Sequence, residues 1–189
     1  WLPGAMVAPT PVSAYLHSAT MVKAGVYLVA RFSPAFAEVD FWRPLIVAVG
    51  LYTMIAAAMR ALRQTDLKLL LAMGTISQLG FMIAVLGLGT PESSIAGCVV
   101  LLAHGLYKAA AFMVVGILDH QHGSRDTRMI PRVKPGWRLT ALVGVVSAAS
   151  MAGVPLLFGF VAKESEFEAL VDQTGISSAV AIVAALLGS

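Results

Sequence analysis

One apolar run near the middle of the chain constrains the fold more than any other feature. Residues 95–118 would be about 36 Å long as an α-helix, enough to cross a hydrocarbon core of about 30 Å. His104 and Lys108 lie well inside this run, and because they are four residues apart they share one helix face. A lysine at that depth costs about 2.5 to 3.5 kcal/mol on insertion scales. The run therefore belongs in a bundle whose interior accepts charge.

Two interpretations of this pair remain open from the residues alone. In the first, His104 hydrogen-bonds a neighbouring helix and Lys108 neutralises a buried acid elsewhere in the bundle. In the second, the two form a proton relay, since imidazole titrates near neutrality and a desolvated lysine can exchange its proton. We favour the relay, because ionisable groups inside a membrane usually mark an ion path.

The composition of the chain is that of a membrane protein. Hydrophobic residues make up 58% and charged residues 12%, and the mean hydropathy is +0.83, far more apolar than a soluble domain. We predict an all-α integral membrane protein, a single bundle of transmembrane helices over residues 1–189. The predicted spans are 11–30, 44–62, 67–88, 95–118 and 139–162, with a sixth, 176–189, cut short. We expect a piece of a longer protein, since the sequence opens at Trp1.

Other classes of function find little support in the sequence. The net charge of +3 would suit nucleic acid, but the basic residues lie mainly in loops between spans, where membrane topology explains them. The lone Cys98 lies in an apolar helix, which argues against a disulfide or thiolate site. Asp119, His120 and His122 lack the second ligand pair of a typical metal site. We expect no nucleic acid, metal or cofactor in this chain.

Three further cations are candidates for the same path. His17 and Lys23 in the first span are six residues apart, about 120° around a continuous helix, so they should address different neighbours. Lys68 begins the third span, where a cation opposes the helix dipole. The alternatives are a packing role for His17, a pairing role for Lys23, and a Lys68 that extends to the headgroups beside Arg60 and Arg63.

The fifth span contains a predicted helix break. Small residues precede Gly153, and Pro155 removes a backbone hydrogen bond in mid-membrane. Discontinuous helices expose backbone groups at ion paths, and they are tolerated only where protein or water satisfies those groups. Lys163 and Glu164 follow within about 12 Å of Pro155 if the chain stays helical. The alternative for Lys163 is an interfacial position ahead of a charged loop.

The distribution of Lys and Arg predicts the orientation. One set of loops, with the nearby first turn of the third span, holds Arg60, Arg63, Lys68, Arg125, Arg128, Arg132, Lys134 and Arg138. The other side holds only Arg31, Arg43 and Lys163. By the positive-inside rule the first set is cytoplasmic, and the first helix runs from inside to outside.

Two long segments resemble the proton-translocating antiporter family, which includes antiporter-like subunits of respiratory complex I and subunits of Mrp-type cation/proton antiporters. They are WLPGAMVAPTPVSAYLHSATMVKAGVYLVAR and AHGLYKAAAFMVVGILDHQHGSRD. The distal complex I subunit has segments similar to PTPVSAYLHSATMV and TDLKLLLAMGTISQLGFM. MVKAGVYL and DHQHGSRD are more similar to the large A subunit of the Mrp type. The likeness covers nearly the whole chain.

The resemblance implies two inverted repeats of five helices, each with one broken helix, joined by a hydrated polar axis. This chain would begin just after the first broken helix and hold most of the second repeat, with the first repeat's paired glutamate and lysine outside it. By resemblance the central lysine is Lys108, the lysine beyond the second broken helix is Lys163, the connecting lysine is Lys68, and the path histidines are His17 and His104. A second family histidine, one turn before His104, is Val100 here.

The resemblance also implies a function without enzymatic chemistry. We expect a multi-pass subunit of a sodium/proton antiporter in the bacterial cell membrane, assembled with other membrane subunits and surrounded by lipid. Its ligands would be protons and monovalent cations. The alternative is a proton-pumping membrane-arm subunit of an NADH:quinone oxidoreductase. A plain structural scaffold explains the helices but not the buried cations.

Overall fold

A computed structural model describes residues 1–36, 38–130 and 135–174, and its regular elements there are helical. The α-helices are α1 (Thr10–Ser18), α2 (Ala24–Phe36), α3 (Trp42–Ala61), α4 (Leu67–Leu86), α5 (Pro91–His122), α6 (Arg138–Ala152) and α7 (Phe158–Thr174). Short 3₁₀-helices cover Gly4–Val7, Met21–Lys23 and Pro135–Trp137. The predicted all-α class is confirmed, and the predicted sixth span lies outside the described residues.

Three of these helices, α3, α4 and α5, are long and apolar enough to cross a membrane, and they match the second, third and fourth predicted spans. Side-chain caps define where α4 and α5 begin. The Asp66 carboxylate caps α4 by accepting hydrogen bonds from the backbone N–H groups of Lys68 and Leu69, at 2.8 and 3.1 Å. Thr90 and Ser93 form a capping box at the start of α5, which satisfies two otherwise unpaired amides.

The first predicted span is not one helix, so the prediction of a continuous helix over residues 11–30 is wrong. α1 ends at Ser18, a 3₁₀-helix begins at Met21, and Thr20 has φ −125° and ψ −91°, outside the helical region. No Pro or Gly lies in this interruption, so the sequence carries no local signal for it. The angle of about 120° predicted between His17 and Lys23 therefore does not apply, because no continuous helix connects them.

The fifth predicted span is also interrupted, and here the sequence carries a signal. α6 ends at Ala152, Gly153 adopts a left-handed φ of +81°, and the next helix begins only at Phe158. The chain is thus not helical at Gly153 and Pro155. Five nearly full crossings were predicted, whereas the described residues contain three uninterrupted long helices and two interrupted ones. The resemblance implies one broken helix in this chain, whereas the described residues contain two. The additional break lies in the first predicted span.

The α5 helix lies at the centre of the bundle, in contact with α1, α4, α6 and α7. α3 packs on α4 at the periphery. An added Cβ on Gly50 would lie 2.6 Å from the Gly80 carbonyl oxygen, so the two backbones approach more closely than any side chain would allow. The Ser77 hydroxyl also donates to the Met54 carbonyl at 3.0 Å. These contacts show that α3 is held to α4 by close packing and a hydrogen bond.

Two loops rich in basic residues meet at one end of the bundle. The Leu67 N–H donates to the Arg125 carbonyl at 3.0 Å, and the Thr127 N–H donates to the Thr65 carbonyl at 2.9 Å. Arg125 Nε lies 3.2 Å from a carboxylate oxygen of Asp66. The loops before α4 and after α5 therefore lie on the same side, in agreement with the side shared by their charges.

Candidate functional site

The structure buries all six side chains that the sequence predicts for the path, although they come from separate elements. His17, Lys68, His104 and Lys108 are at most 1% exposed, while Lys23 is 7% and Lys163 9% exposed. His17 lies near the end of α1, Lys23 ends the 3₁₀-helix before α2, Lys68 begins α4, His104 and Lys108 lie on α5, and Lys163 lies on α7. Cations are rarely buried this far without a partner or a functional reason.

Lys108 is held against α4. Its Nζ donates to the Leu71 carbonyl oxygen at 3.2 Å, and the Thr75 hydroxyl donates to the same oxygen at 2.9 Å. Gly74 leaves room for the ammonium, since an added Cβ there would lie 3.0 Å from Nζ. The head of Lys108 therefore sits on the polar side of α4, in the bundle interior and away from lipid.

Two other lysines make the same kind of contact with a backbone carbonyl. Lys23 Nζ donates to the Leu101 carbonyl of α5 at 2.7 Å, in the space left by Gly105. Lys68 Nζ donates to the Ala8 carbonyl, just before α1. Lys68 points into the protein, so the alternative in which it extends to the headgroups does not hold.

Both histidines pack against an aromatic ring. The His17 ring lies 4.9 Å from that of Phe112, and the His104 ring meets Tyr107 edge-on at 5.5 Å. Among the described residues, neither nitrogen of either imidazole has a hydrogen-bond partner. Buried polar groups are normally satisfied, so these four ring nitrogens distinguish the bundle interior from an ordinary apolar core.

Electrostatic contacts join these groups into one set, with Lys108 at its centre. The charge of Lys108 acts on His17 and on His104, and the charge of Lys163 acts on Lys108. Lys68 acts on His17, and Lys23 acts on His104. The two interrupted helices, which supply Lys23 and Lys163, thus both contact the central helix α5.

The α7 helix carries a buried acid that the sequence analysis missed. Glu164, which was singled out, is exposed, whereas Glu166 is fully buried. The spacing to Lys163 contains a signal, because residues three apart share a helix face. The charge of Lys163 acts on Glu166, and Lys163 itself lies against Gly153, where an added Cβ would approach its Cδ to 3.1 Å.

The hydrophilic end of α5 and the loop that follows it form structural contacts. The His122 ring stacks on Trp137 with centroids 4.7 Å apart, and Asp119 lies 3.9 Å from Arg125. Within the part of the chain that the structure describes, no three His, Cys, Asp or Glu residues are grouped as metal ligands. Outside the membrane-spanning helices, hydrogen bonds from Arg128 lower the pKa of the Asp126 carboxyl to about 2.

Comparison with known proteins now decides the family. Residues 1–188 match the model of the transmembrane family described as NADH:quinone oxidoreductase/Mrp antiporter. The chain belongs to this family. It is therefore a multi-pass membrane protein, in accord with its apolar helices.

Relatives within the family show which branch it is similar to. The A subunit of a Na(+)/H(+) antiporter from Bacillus subtilis is 43% identical over 185 residues, which cover 92% of this chain and 23% of the relative. The A/B subunit of a probable K(+)/H(+) antiporter from Rhizobium meliloti is 47% identical over 172 residues, covering 91% of this chain and 17% of the relative.

A solved structure agrees with this placement. A chain in the Mrp complex from Dietzia sp. DQ12-45-1b is 47% identical, with a TM-score of 0.89, and the match covers 99% of this chain and 21% of that one. The chain thus spans about a quarter or less of the length of these proteins. The likeness to the A subunit of the Mrp type, which the sequence motifs predicted, is confirmed.

Proposed function

We propose that this chain is part of a membrane subunit of a monovalent cation/proton antiporter, and that it moves protons along its buried lysines and histidines. One observation carries the proposal. Lys108 is 0% exposed, and electrostatic interactions join it to side chains from α1, α5 and α7 at once. A group in that position transmits a change in charge from one part of the bundle to another.

The two interruptions support the same function. Each lies next to a buried lysine that faces α5, and an interrupted helix at membrane depth is tolerated where its backbone is buried in protein or lines a water-filled cavity. Both are therefore suited to an ion path. The Gly153 and Pro155 interruption acts in this proposal as a gate beside Lys163.

One end of the path lies at the loops rich in basic residues, which we assign to the cytoplasm. An open cleft of about 620 Å³ runs between the start of α1 and the end of α5, with Pro9, Asp119 and His120 in its lining. It adjoins Ala8, whose carbonyl oxygen accepts the hydrogen bond from Lys68. Protons enter here in this proposal and pass from Lys68 through His17 to Lys108.

The names of the relatives bear on the transported ion. One relative is named as part of a Na(+)/H(+) antiporter and another as part of a probable K(+)/H(+) antiporter. We propose sodium as the exchanged cation, other membrane subunits as the partners, and transport without bond-making chemistry. The rival is a proton-pumping component of an NADH:quinone oxidoreductase, because the family description covers both classes.

The test uses the complete complex that contains this chain, reconstituted in liposomes with a pH-sensitive dye inside. Sodium added to the outside should dissipate an imposed pH gradient. Lys108→Ala should lower that rate by about 100-fold, the lower end of what a positioned proton-transfer group contributes, with assembly unchanged.

Leu106→Ala is the matched control on the same helix, since Leu106 is 60% exposed and lies outside the bundle interior. Normal sodium-dependent proton flux in Lys108→Ala would contradict the relay. Proton uptake driven by NADH and quinone, without any response to sodium or potassium, would favour the rival function.

A further inference from the structure

The α7 helix places a carboxyl group in apolar surroundings. Glu166 is 0% exposed, and neither of its carboxyl oxygens has a hydrogen-bond partner among the described residues. Ala162 and Ala169, about one turn to either side on the same face, pack into two different apolar clusters. An ionised carboxylate in such a place is strongly disfavoured unless a charge or proton compensates it. Glu166 must therefore bind a positive charge or a proton.

The groups that act on Glu166 come from α7 and α5. The Lys163 ammonium is the cation whose charge acts on it, and the Tyr107 hydroxyl is its neighbour on α5. The charge of Lys163 also acts on Lys108. The other helices packed against α7 contribute one titratable side chain each, Lys68 in the first turn of α4 and Arg138 in the first turn of α6.

The surroundings distinguish a proton from a metal cation. Alkali and alkaline-earth ions require several oxygen ligands from carboxylates, carbonyls or water. Among the described residues, Ala162 and Ala169 on the same face of α7 present only methyl groups to Glu166, and the Tyr107 hydroxyl is the side-chain oxygen beside it. A proton needs only the carboxyl oxygen itself.

We propose that Glu166 is a proton-binding residue that exchanges a proton with Lys163 and so extends the path beyond the second interruption. In this step the Lys163 ammonium gives up one proton and becomes a neutral amine. The Glu166 carboxylate gains that proton and becomes a carboxylic acid, so two buried charges disappear together. The inference rests on the proposed function, since it adds a carrier to the same path.

The position of Lys108 sets the direction of this exchange. A positive charge on Lys108 repels a proton on Lys163 and favours its transfer to Glu166. When Lys108 is neutral, the Lys163 ammonium and the Glu166 carboxylate are favoured as an ion pair. Each proton that arrives at Lys108 thus moves another from Lys163 to Glu166.

The first test measures the protonation of Glu166 in the complete complex, without any transport assay. Dicyclohexylcarbodiimide reacts with a protonated carboxylic acid in apolar surroundings, and mass spectrometry of peptides locates the product. We expect labelling at Glu166 that decreases as the pH rises, and none at Glu164, the exposed control. Lys163→Gln should extend the labelling to higher pH, because removal of the cation favours the neutral acid.

The second test measures transport. Glu166→Gln should lower sodium-dependent proton flux by about 100-fold, as expected for loss of a positioned proton carrier, whereas Glu166→Asp should keep part of it and Glu164→Gln should keep all of it. Absence of Glu166 labelling at every pH at which the complex is active would overturn the proposal, and so would normal flux in Glu166→Gln. The labelling uses the wild-type complex, so it decides the matter even if a variant fails to assemble.

These outcomes separate the inference from the function on which it rests. If wild-type complex exchanges sodium for protons but Glu166 is never protonated, Glu166 is a fixed counter-ion and only this inference fails. If the wild-type complex exchanges no cation for protons, the proposed function fails first.

Discussion

The two interrupted helices reach a similar arrangement from different sequences. The first breaks between Ser18 and Met21 and is followed by Lys23, and the second breaks after Ala152 and is followed by Lys163. Both lysines are buried and lie near α5. The second break contains Gly153 and Pro155, whereas the first contains neither residue type. A helix break at membrane depth can therefore be specified by the neighbouring helices, without a local breaker.

The contacts around each break show this difference. At the second, the chain satisfies its own backbone, because the Val154 N–H donates to the Ala149 carbonyl at 3.0 Å and the Gly159 N–H donates to the Ser150 hydroxyl at 3.2 Å. At the first, the Ala19 N–H donates to the Tyr15 carbonyl at 3.1 Å and the Lys23 N–H to the Thr20 carbonyl at 3.0 Å. There the Lys23 side chain also donates to the Leu101 carbonyl of α5. Both breaks therefore satisfy backbone groups locally, and the first is in addition tied to α5 by the Lys23 side chain.

The largest effects should come from removal of either lysine. Lys23→Ala and Lys163→Ala should each lower sodium-dependent proton flux in liposomes by about 100-fold, because each removes a positioned proton-transfer group. Leu106→Ala again serves as the control. If only one variant loses flux, the other interruption lies outside the path and the likeness between the two is structural only.

Strain at the second break should give the next largest effect. Gly153→Ala places an L-residue at φ +81°, which costs about 1 to 2 kcal/mol, and its Cβ would approach Lys163 Cδ to 3.1 Å. We expect a lower melting temperature of the detergent-solubilised complex and a lower flux.

Gly123→Ala is the matched control for this change. Gly123 has a φ of +65°, and an added Cβ there would meet no atom within 4 Å, so only the backbone strain remains. We expect a similar loss of stability with normal flux. Equal flux in the two variants would mean that the position of Lys163 against the break does not matter for transport.

The sequence predicted those parts of the fold that depend on local patterns. The apolar lengths of α3, α4 and α5 follow from composition, and the cap by Asp66 follows from the position of an acid before an apolar run. The second break follows from Gly153 and Pro155. The first break could not be predicted in this way, because neither Gly nor Pro lies in it and the Leu101 carbonyl that Lys23 contacts is distant in the chain.

The candidate site was predicted in part for the same reason. A cation inside an apolar run is visible in sequence, so the burial of Lys108, His104 and Lys23 could be predicted. Glu166 was missed because other acidic residues lie close to it in the chain, and the sequence does not show which of them is buried. Only the packing of α7 against α5 separates Glu166 from Glu164.

A smaller effect on proton flux is expected from a substitution on α5 beside the first break. Gly105→Ala would bring a Cβ to 3.0 Å from Lys23 Nζ and 3.1 Å from the Ser18 carbonyl oxygen. Overpacking of this kind costs about 1 to 3 kcal/mol, while the helix gains about 1 kcal/mol from the change. We therefore expect little change in the melting temperature but a measurable loss of flux.

Gly25→Ala provides the comparison for this variant, since Gly25 lies in α2 and an added Cβ would meet no atom within 4 Å. It should gain stability and keep its flux. Normal flux in Gly105→Ala would show that the first break tolerates a displaced Lys23, which the proposed path does not allow.

The smallest effect is expected in the loop after α5, which belongs to neither interruption. Two side-chain hydrogen bonds from Arg128 Nε and Nη2 reach the Asp126 carboxylate, at 2.9 and 2.5 Å, and they hold its pKa at about 2, below the usual 3.8. Because the folded pKa is the lower one, the stabilisation is present above about pH 4 and is lost as the pH falls through about 2. An exposed pair of this kind contributes little to stability.

Asp126 therefore stays ionised throughout the range in which transport is measured. Asp126→Asn should leave both the flux and its pH profile unchanged between about pH 6 and about pH 9, a range in which histidine titrates and an ordinary carboxyl group does not. The same liposome assay, repeated at each pH, measures both quantities. A shifted pH profile in this variant would place a third proton-binding region outside the two interruptions, and the path could then no longer be explained by the two buried lysines that follow them.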